Sequence, residues 1–590
     1  MKDHSFILSS TEFTVRKFLS NIAEVFDTSS FENVELAILP MEVRSDSKTL
    51  VKLTYNDGII TTPDDRDYKP DPRGVGYALF TNLKKNATKR LQIDASTGEE
   101  DTYGSVLQRS IRIAMKLLEF GLTPNDIVAT CMANHTNSCV TLFASLFVGV
   151  KLVCFDYRME DKETAILMKQ IEPKIIFVDL ESISFIESTL KLSEKTATII
   201  VFGKTPNYLN FFDFLLPIFG EDDFKPVEVD KSQTAFIFFT SGSTGLPKGV
   251  CLSHDAFLGQ VGVVLDLNEP YERVVETSTS YWELSIFYWF VLVVRGGYKI
   301  LVPYPDDVEL IWKSISNYNA TYMLTTPFEL REMWKSKPAD VCGDSVTRID
   351  IVGGTTPECE LIRYRKFFSN AIVTNAYGTT ETGMIICFQT NTEKDFEFLN
   401  KKIRSIGSVL NGISYKIVDV DTKKVLGPNQ EGELVVKTKN VLTEYYKFGT
   451  MDAFDSEGWF RTGDIMYYDE DYYFYFVERL KEMMKYRAWH ISPKMIENVL
   501  LSRDDISAAC VIEVPHDEDD QRIMAIVELS NSNIPVDVLE HDICQSVETV
   551  LGNKFIPREG IKIVDRIPRT PTGKYDIRKL KSMFKKSEIK

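Results

Sequence analysis

From Thr102 onward, helical periodicity (SVLQRSIRIAMKLLEFGL) alternates with short β-rich runs: DIVATCM, VKLVCFD and KIIFVDL. That alternation predicts parallel strands joined by crossover helices. A second series runs from TAFIFFT (Thr234–Thr240) through YKILVP, TYMLTTP and RIDIVGG to AIVTNAYG (Ala371–Gly378), which reads as a second doubly wound sheet. Between about 400 and 478 the spacing shortens to strands and Gly/Asp turns (ISYKIVDV, GELVVKT, YYFYFVE), which suits a small β-barrel or antiparallel sheet. The last 110 or so residues predict an α+β unit, with KMIENVLLS as a helix and ACVIEV and IMAIVELS as paired strands. Residues 1 to about 70 carry no motif; the apolar stretches Val34–Leu39 and Thr49–Tyr55, with Asn56-Asp57-Gly58 as a turn, suggest a small β element of unknown role. The expected fold is therefore α/β: an extension over 1–70, a large domain over 71–478 with two doubly wound sheets and a small barrel, and a C-terminal α+β domain over 479–590.

The most apolar run, Leu284–Val294, has eleven residues between Glu283 and Arg295, short of the roughly 20 that span a bilayer. It predicts a buried helix or a pocket wall, and no transmembrane segment. The 590 residues carry a formal net charge of −17, which argues against nucleic acid or an anionic membrane as partner. Nine scattered cysteines, none spaced C-x-x-C, read as reduced thiols without a zinc site. The N-terminal stretch has no apolar core of signal-peptide length, and the final Glu588-Ile589-Lys590 is not S-K-L, so the expectation is a cytoplasmic protein.

Chemistry concentrates at strand ends. The stretch FFTSGSTGLPKGV, Phe238–Val250, is not a Walker A loop: counting from Gly242, Pro247 stands where glycine is needed and Gly249 follows Lys248. It still has a composition for handling phosphates. Four hydroxyl residues (Thr240, Ser241, Ser243, Thr244), glycines including Gly242 and Gly245, and Lys248 offer backbone donors and one cation. Gly353-Gly354-Thr355 and Tyr377-Gly378-Thr379 also follow strands, and open α/β sheets bind ligands beyond the carboxyl ends of their strands.

TSGSTGLPKG, AYGTTETG, GWFRTGD, ERLKEMMKY and PRTPTGK occur in the order and at the spacing of one superfamily. Over roughly residues 75 to 585 the chain resembles the adenylate-forming enzymes: acyl-CoA synthetases, coumarate CoA ligases and firefly luciferase. The resemblance implies that Thr240–Lys248 embraces the leaving phosphates of ATP, and that Thr380 contacts phosphate while Glu381 holds Mg2+. Gly354, Thr355, Thr356 and Pro357, with Asn375, Ala376, Tyr377, Gly378 and Thr379, would flank adenine, Tyr377 as the stacking ring. Asp464 is similar to the acid that accepts both ribose hydroxyls, and Arg479 to an arginine near ribose and phosphate. Leu480-Lys481 falls at the family's hinge. Lys574 matches the lysine that bridges the attacking carboxylate and the α-phosphate, and Lys485 lies on the face used for the second half-reaction. A mobile C-terminal lid follows from this resemblance.

Four positions depart from the family pattern. In the acyl-pocket segment, Tyr281-Trp282-Glu283 replaces an aromatic-His pair, with Trp282 at the His position, so the pocket is smaller or differently shaped. Glu283 falls close to where amino-acid-activating relatives place an acid that pairs with the substrate amine; the other reading is a rim glutamate facing solvent. Ala488 stands where glycine is common beside the pantetheine channel, and Glu478 precedes Arg479 in place of Gly or Asp. The expected activity is ATP-dependent ligation of a small carboxylic acid, fatty or aryl-propenoic, to coenzyme A. Transfer of the acyl group to an amine or to oxygen, and a noncatalytic nucleotide-binding paralogue, remain open alternatives.

Overall fold

The computed structural model describes residues 53–584 except 241–246, 268, 305, 339–340, 391, 451–452, 487–488, 517–519 and 531–535. The expected strand at Val34–Leu39 lies outside the described residues. Two compact units separate: 53–476 with Thr570–Lys574, and Val477–Arg569 with 575–584.

The larger unit holds two mostly parallel sheets. One has eight strands in the order Glu444–Tyr445, Lys248–Ser253, Thr234–Thr240, Lys151–Phe155, Ile127–Cys131, Ile175–Val178, Thr198–Val201, Leu209–Asn210. From Thr234–Thr240 onward its pairs are parallel, and the first two strands form an antiparallel edge. The other has seven: Ile372–Asn375, Arg348–Ile351, Tyr322–Thr325, Arg273–Glu276, Tyr298–Leu301, Arg90–Asp94 and the antiparallel Glu100–Thr102. The α/β class is as the alternation predicts, but membership differs. Thr234–Thr240 opens the second series in the sequence yet pairs with Lys151–Phe155 of the first sheet, while Arg90–Asp94 joins the second. Strands buried on both faces carry one apolar signature in either sheet, so their neighbours are set by long-range packing.

The strands between 400 and 478 do not close a barrel. All but Glu444–Tyr445 belong to an open nine-stranded sheet that begins at Thr54–Asn56 and ends at Tyr377–Thr379. Closure would require a stagger that brings the end strands into register; here both end strands have only three residues, and they lie at opposite edges of the sheet. The Thr54–Asn56 and Ile59–Thr61 hairpin turns on Asp57 (φ 49°) and Gly58 (φ 80°), a left-handed pair suited to a two-residue connection.

Glu283–Arg295 is a helix, as the apolar run predicts, buried through Val293 and ended by Gly296 at φ 76°. Among the described residues no helix is long and apolar enough to cross a membrane. The smaller unit has five strands, with Ile506–His516 and Asp520–Leu529 antiparallel and Pro493–Leu501 packed on them.

Candidate nucleotide and acid site

Thr240 ends its strand and faces Lys248 across the hairpin, so both ends of the glycine-serine loop are fixed one ladder step apart. Ser241, Gly242, Ser243, Thr244 and Gly245 themselves lie outside the described residues.

At Ala376 the chain leaves the seven-stranded sheet (Ile372–Asn375) and enters the nine-stranded one (Tyr377–Thr379). The side chain of Tyr377 donates its hydroxyl to Asp464 Oδ2 at 2.6 Å, and Asp464 is 1% exposed. Gly378 is required by space: a Cβ there would lie 2.3 Å from the Gly383 carbonyl oxygen of the paired strand. Nearby in the same unit, Thr356 Oγ1 and Asn375 Oδ1 are buried with no hydrogen-bond partner among the described residues. A buried polar atom left unpaired costs about 1–3 kcal/mol, so each of the two has a hydrogen bond to gain from a bound partner. Gly354 and Thr355 lead into Thr356-Pro357, and Pro357 opens the helix Glu358–Phe367.

Thr379 Oγ1 lies 3.0 Å from Thr382 Oγ1, and between them the turn presents Thr380 and Glu381. The backbone oxygen of Glu381 accepts the Leu442 N–H at 2.8 Å, and its Oε1 accepts the Tyr445 hydroxyl at 3.0 Å. Glu283 is 6% exposed at the start of its helix, which corrects the reading of it as a rim residue facing solvent. Its carboxyl is hydrogen-bonded by Thr380. Burial, then the charge of Glu381, push Glu283 well above the usual carboxylate range against the opposing Thr380 bond. Glu381 fits the needs of magnesium, a hard cation that takes one or two carboxylates and completes its shell with phosphate oxygens and water.

Lys574, in the segment grouped with the larger unit, approaches Gly353. An ideal Cβ on Gly353 would fall 3.7 Å from Lys574 Cε and 3.3 Å from two ring carbons of Trp282. Trp282 and Lys574 thus flank one glycine, which has φ 79°. Gly573 adjoins Thr326 and Phe328 by the same measure, at 3.5 and 3.8 Å. Tyr281 packs on the apolar cluster beneath the eight-stranded sheet.

In the smaller unit, Arg479 ends the strand Tyr473–Arg479, and Lys485 pairs with His490 in a hairpin; Ala488 lies outside the described residues. Glu478 there has a defined structural task. It accepts the Arg479 N–H at 3.0 Å, the Ser492 hydroxyl at 2.9 Å and the Lys494 N–H at 3.0 Å, tying the strand end to the start of helix Pro493–Leu501.

The AMP-binding enzyme family matches residues 79–446, and its C-terminal domain matches residues 495–574. The chain belongs to this family of adenylate-forming enzymes. It is similar to luciferin 4-monooxygenase of Photinus pyralis, 28% identical over 84% of this chain and 91% of that protein. With 4-coumarate–CoA ligase 3 of Arabidopsis thaliana it shares 25% identity over 84% and 88% of the two chains. Among solved structures, the luciferase-like enzyme of the nonluminescent Zophobas morio mealworm aligns with a TM-score of 0.68 and 31% identity, over 72% of this chain and 99% of that one. In this AMP-binding enzyme three residues near the expected site carried no sequence signal. Tyr445 was hidden in LTEYYKF, and Thr326 and Phe328 in an ordinary strand-to-helix turn; only tertiary contact brings them to the motif residues.

Proposed function

We propose that the protein is an ATP-dependent, AMP-forming acid:CoA ligase acting on a fatty or aryl-propenoic acid. The acid's carboxylate oxygen attacks the α-phosphorus of ATP, the bond to the β-phosphate oxygen breaks, and pyrophosphate leaves. The thiolate of coenzyme A then attacks the acyl carbonyl carbon, and AMP leaves with the carbonyl–oxygen bond electrons. The change replaces a poor leaving group, oxide, with a good one.

The observation that carries this reading is the set of nucleotide-suited groups in the larger unit. Tyr377 and Asp464 are hydrogen-bonded to each other, and Thr356 and Asn375 bury polar atoms that lack partners. Asp464 is the acceptor for ribose, and Tyr377 the ring for adenine. The backbone and Lys248 of the strand-end loop take the departing phosphates. Magnesium, held by Glu381, would supply positive charge to the phosphate oxygens. Lys574, beside Gly353, brings the two anions together by offsetting their charge and fixing their approach. The C-terminal unit is the lid, turning at Leu480-Lys481 between the half-reactions, with Arg479 near the nucleotide and Lys485 serving thioester formation. Cys131, Cys139, Cys154, Cys251, Cys387 and Cys510 are buried thiols, which suits a reducing cytosolic setting.

The test is pyrophosphate release over fatty, aromatic and amino acids, with and without coenzyme A, for the wild type and Lys574→Ala. Release that depends on an acid, product thioester only with coenzyme A, and loss of at least 100-fold in Lys574→Ala with ATP binding retained are the expected results. The similarity to luciferin 4-monooxygenase favours a second reading, transfer of the adenylate to oxygen or an amine. Acid-dependent pyrophosphate release that yields no thioester would select it. A silent panel would remove both.

A further inference from the structure

Tyr445 joins two parts of the site that the sequence presents as unrelated. It lies in the strand Glu444–Tyr445, paired antiparallel with Lys248–Ser253 in the register Val250 to Tyr445. Its hydroxyl donates to Glu381 Oε1 at 3.0 Å, and its ring lies 5.1 Å from Lys248 Nζ, within cation–π range. The surrounding backbone is fastened on both sides. Leu442 N–H donates to the Glu381 carbonyl at 2.8 Å, Thr443 N–H to Cys251 at 2.9 Å and Tyr446 N–H to Gly249 at 2.7 Å. Behind Glu381, Gln260 Nε2 donates to the Asn440 carbonyl at 2.9 Å. Burial, then the neighbouring carboxylate, raise the Tyr445 phenol above its ordinary value, which keeps it a donor at neutral pH.

We propose that Tyr445 is a positioning residue for the metal–triphosphate end of the site, its hydroxyl orienting the Glu381 carboxylate and its ring orienting the Lys248 ammonium. This rests on the reading that the site binds Mg-ATP. The two functions separate chemically. The hydroxyl acts on the carboxylate, so its loss is felt only when a divalent cation is present. The ring acts on the lysine, so its loss is felt by ATP with or without the cation.

The experiment measures ATP affinity by calorimetry on the full chain, without acid, in excess magnesium and in EDTA. Tyr445→Phe is expected to bind ATP in EDTA within twofold of wild type while losing about tenfold of its affinity in magnesium, the scale of one hydrogen bond to a charged group. Tyr445→Leu should in addition weaken binding in EDTA, by about threefold to fivefold. Glu381→Gln serves as the second background, where adding Tyr445→Phe should cause no further loss. Equal loss for Tyr445→Phe with and without magnesium, unchanged affinity in magnesium, or a further loss on Glu381→Gln would each overturn the proposal. If wild-type ATP binding tightens with magnesium and follows this pattern while no acid in the panel releases pyrophosphate, the ligase reading fails and the role of Tyr445 stands.

Discussion

Alanine at Gly353 meets two obstacles that can be sized. The backbone has φ 79°, a left-handed setting that costs an L-residue about 1–2 kcal/mol. The new methyl would also lie 3.3 Å from two indole carbons of Trp282, inside the 3.5–4.0 Å of ordinary carbon contact. Trp282 is half-buried and can yield by a few tenths of an ångström, adding up to about 1 kcal/mol. Lys574 Cε, at 3.7 Å, stays in ordinary contact. The total of about 2 kcal/mol is a cost to the folded state, read as lost unfolding free energy. The double variant Gly353→Ala/Trp282→Ala should lose about 1 kcal/mol less than the sum of the single losses, because the collision is gone while the backbone cost remains. Urea titrations of the four proteins measure this. Gly353→Ala within about 0.5 kcal/mol of wild type, or single losses that simply add, would refute the reasoning.

Gly378→Ala should lose more than tenfold in ATP affinity and melt lower, since its methyl would sit 2.3 Å from the Gly383 oxygen and must part the hairpin that carries Tyr377. His254 is buried, accepts the Val75 N–H at 3.2 Å, and is held down to about 4 by burial. The unfolded chain therefore binds more protons between pH 6.5 and 4, and stability must fall on acidification through that window. Two and a half units at about 1.4 kcal/mol each give a loss of about 3.5 kcal/mol, and His254→Asn should flatten the pH dependence seen in urea titrations. Glu283 has the opposite sign. Its raised folded-state value means the native state binds the proton more tightly than the unfolded chain, so wild type should lose stability relative to Glu283→Gln as pH rises through and above the usual carboxylate range, read from paired melting curves at pH 5 and pH 8.

Element type was legible because it depends on local repeat. The run Leu284–Val294 between two charges could only be buried, and TAFIFFT could only be a strand covered on both sides. Sheet membership was not legible, as Thr234–Thr240 and Arg90–Asp94 show, since the apolar signature names no partner. Glu283 shows the same limit for side chains. A glutamate at the start of an apolar helix is read as solvent-facing by default; here the fold buries it and gives it the Thr380 hydroxyl.

The sequence by itself determined the family, through motifs whose order and spacing are properties of the chain, and the α/β class, through periodicity that each segment carries locally. The tertiary structure alone decided that Tyr377 and Asp464 share a hydrogen bond, that Trp282 and Lys574 meet at Gly353, and that Tyr445 stands between Lys248 and Glu381. Those contacts join residues tens to hundreds of positions apart, and their geometry is set by how sheets pack, a sum over many weak interactions that no local pattern records.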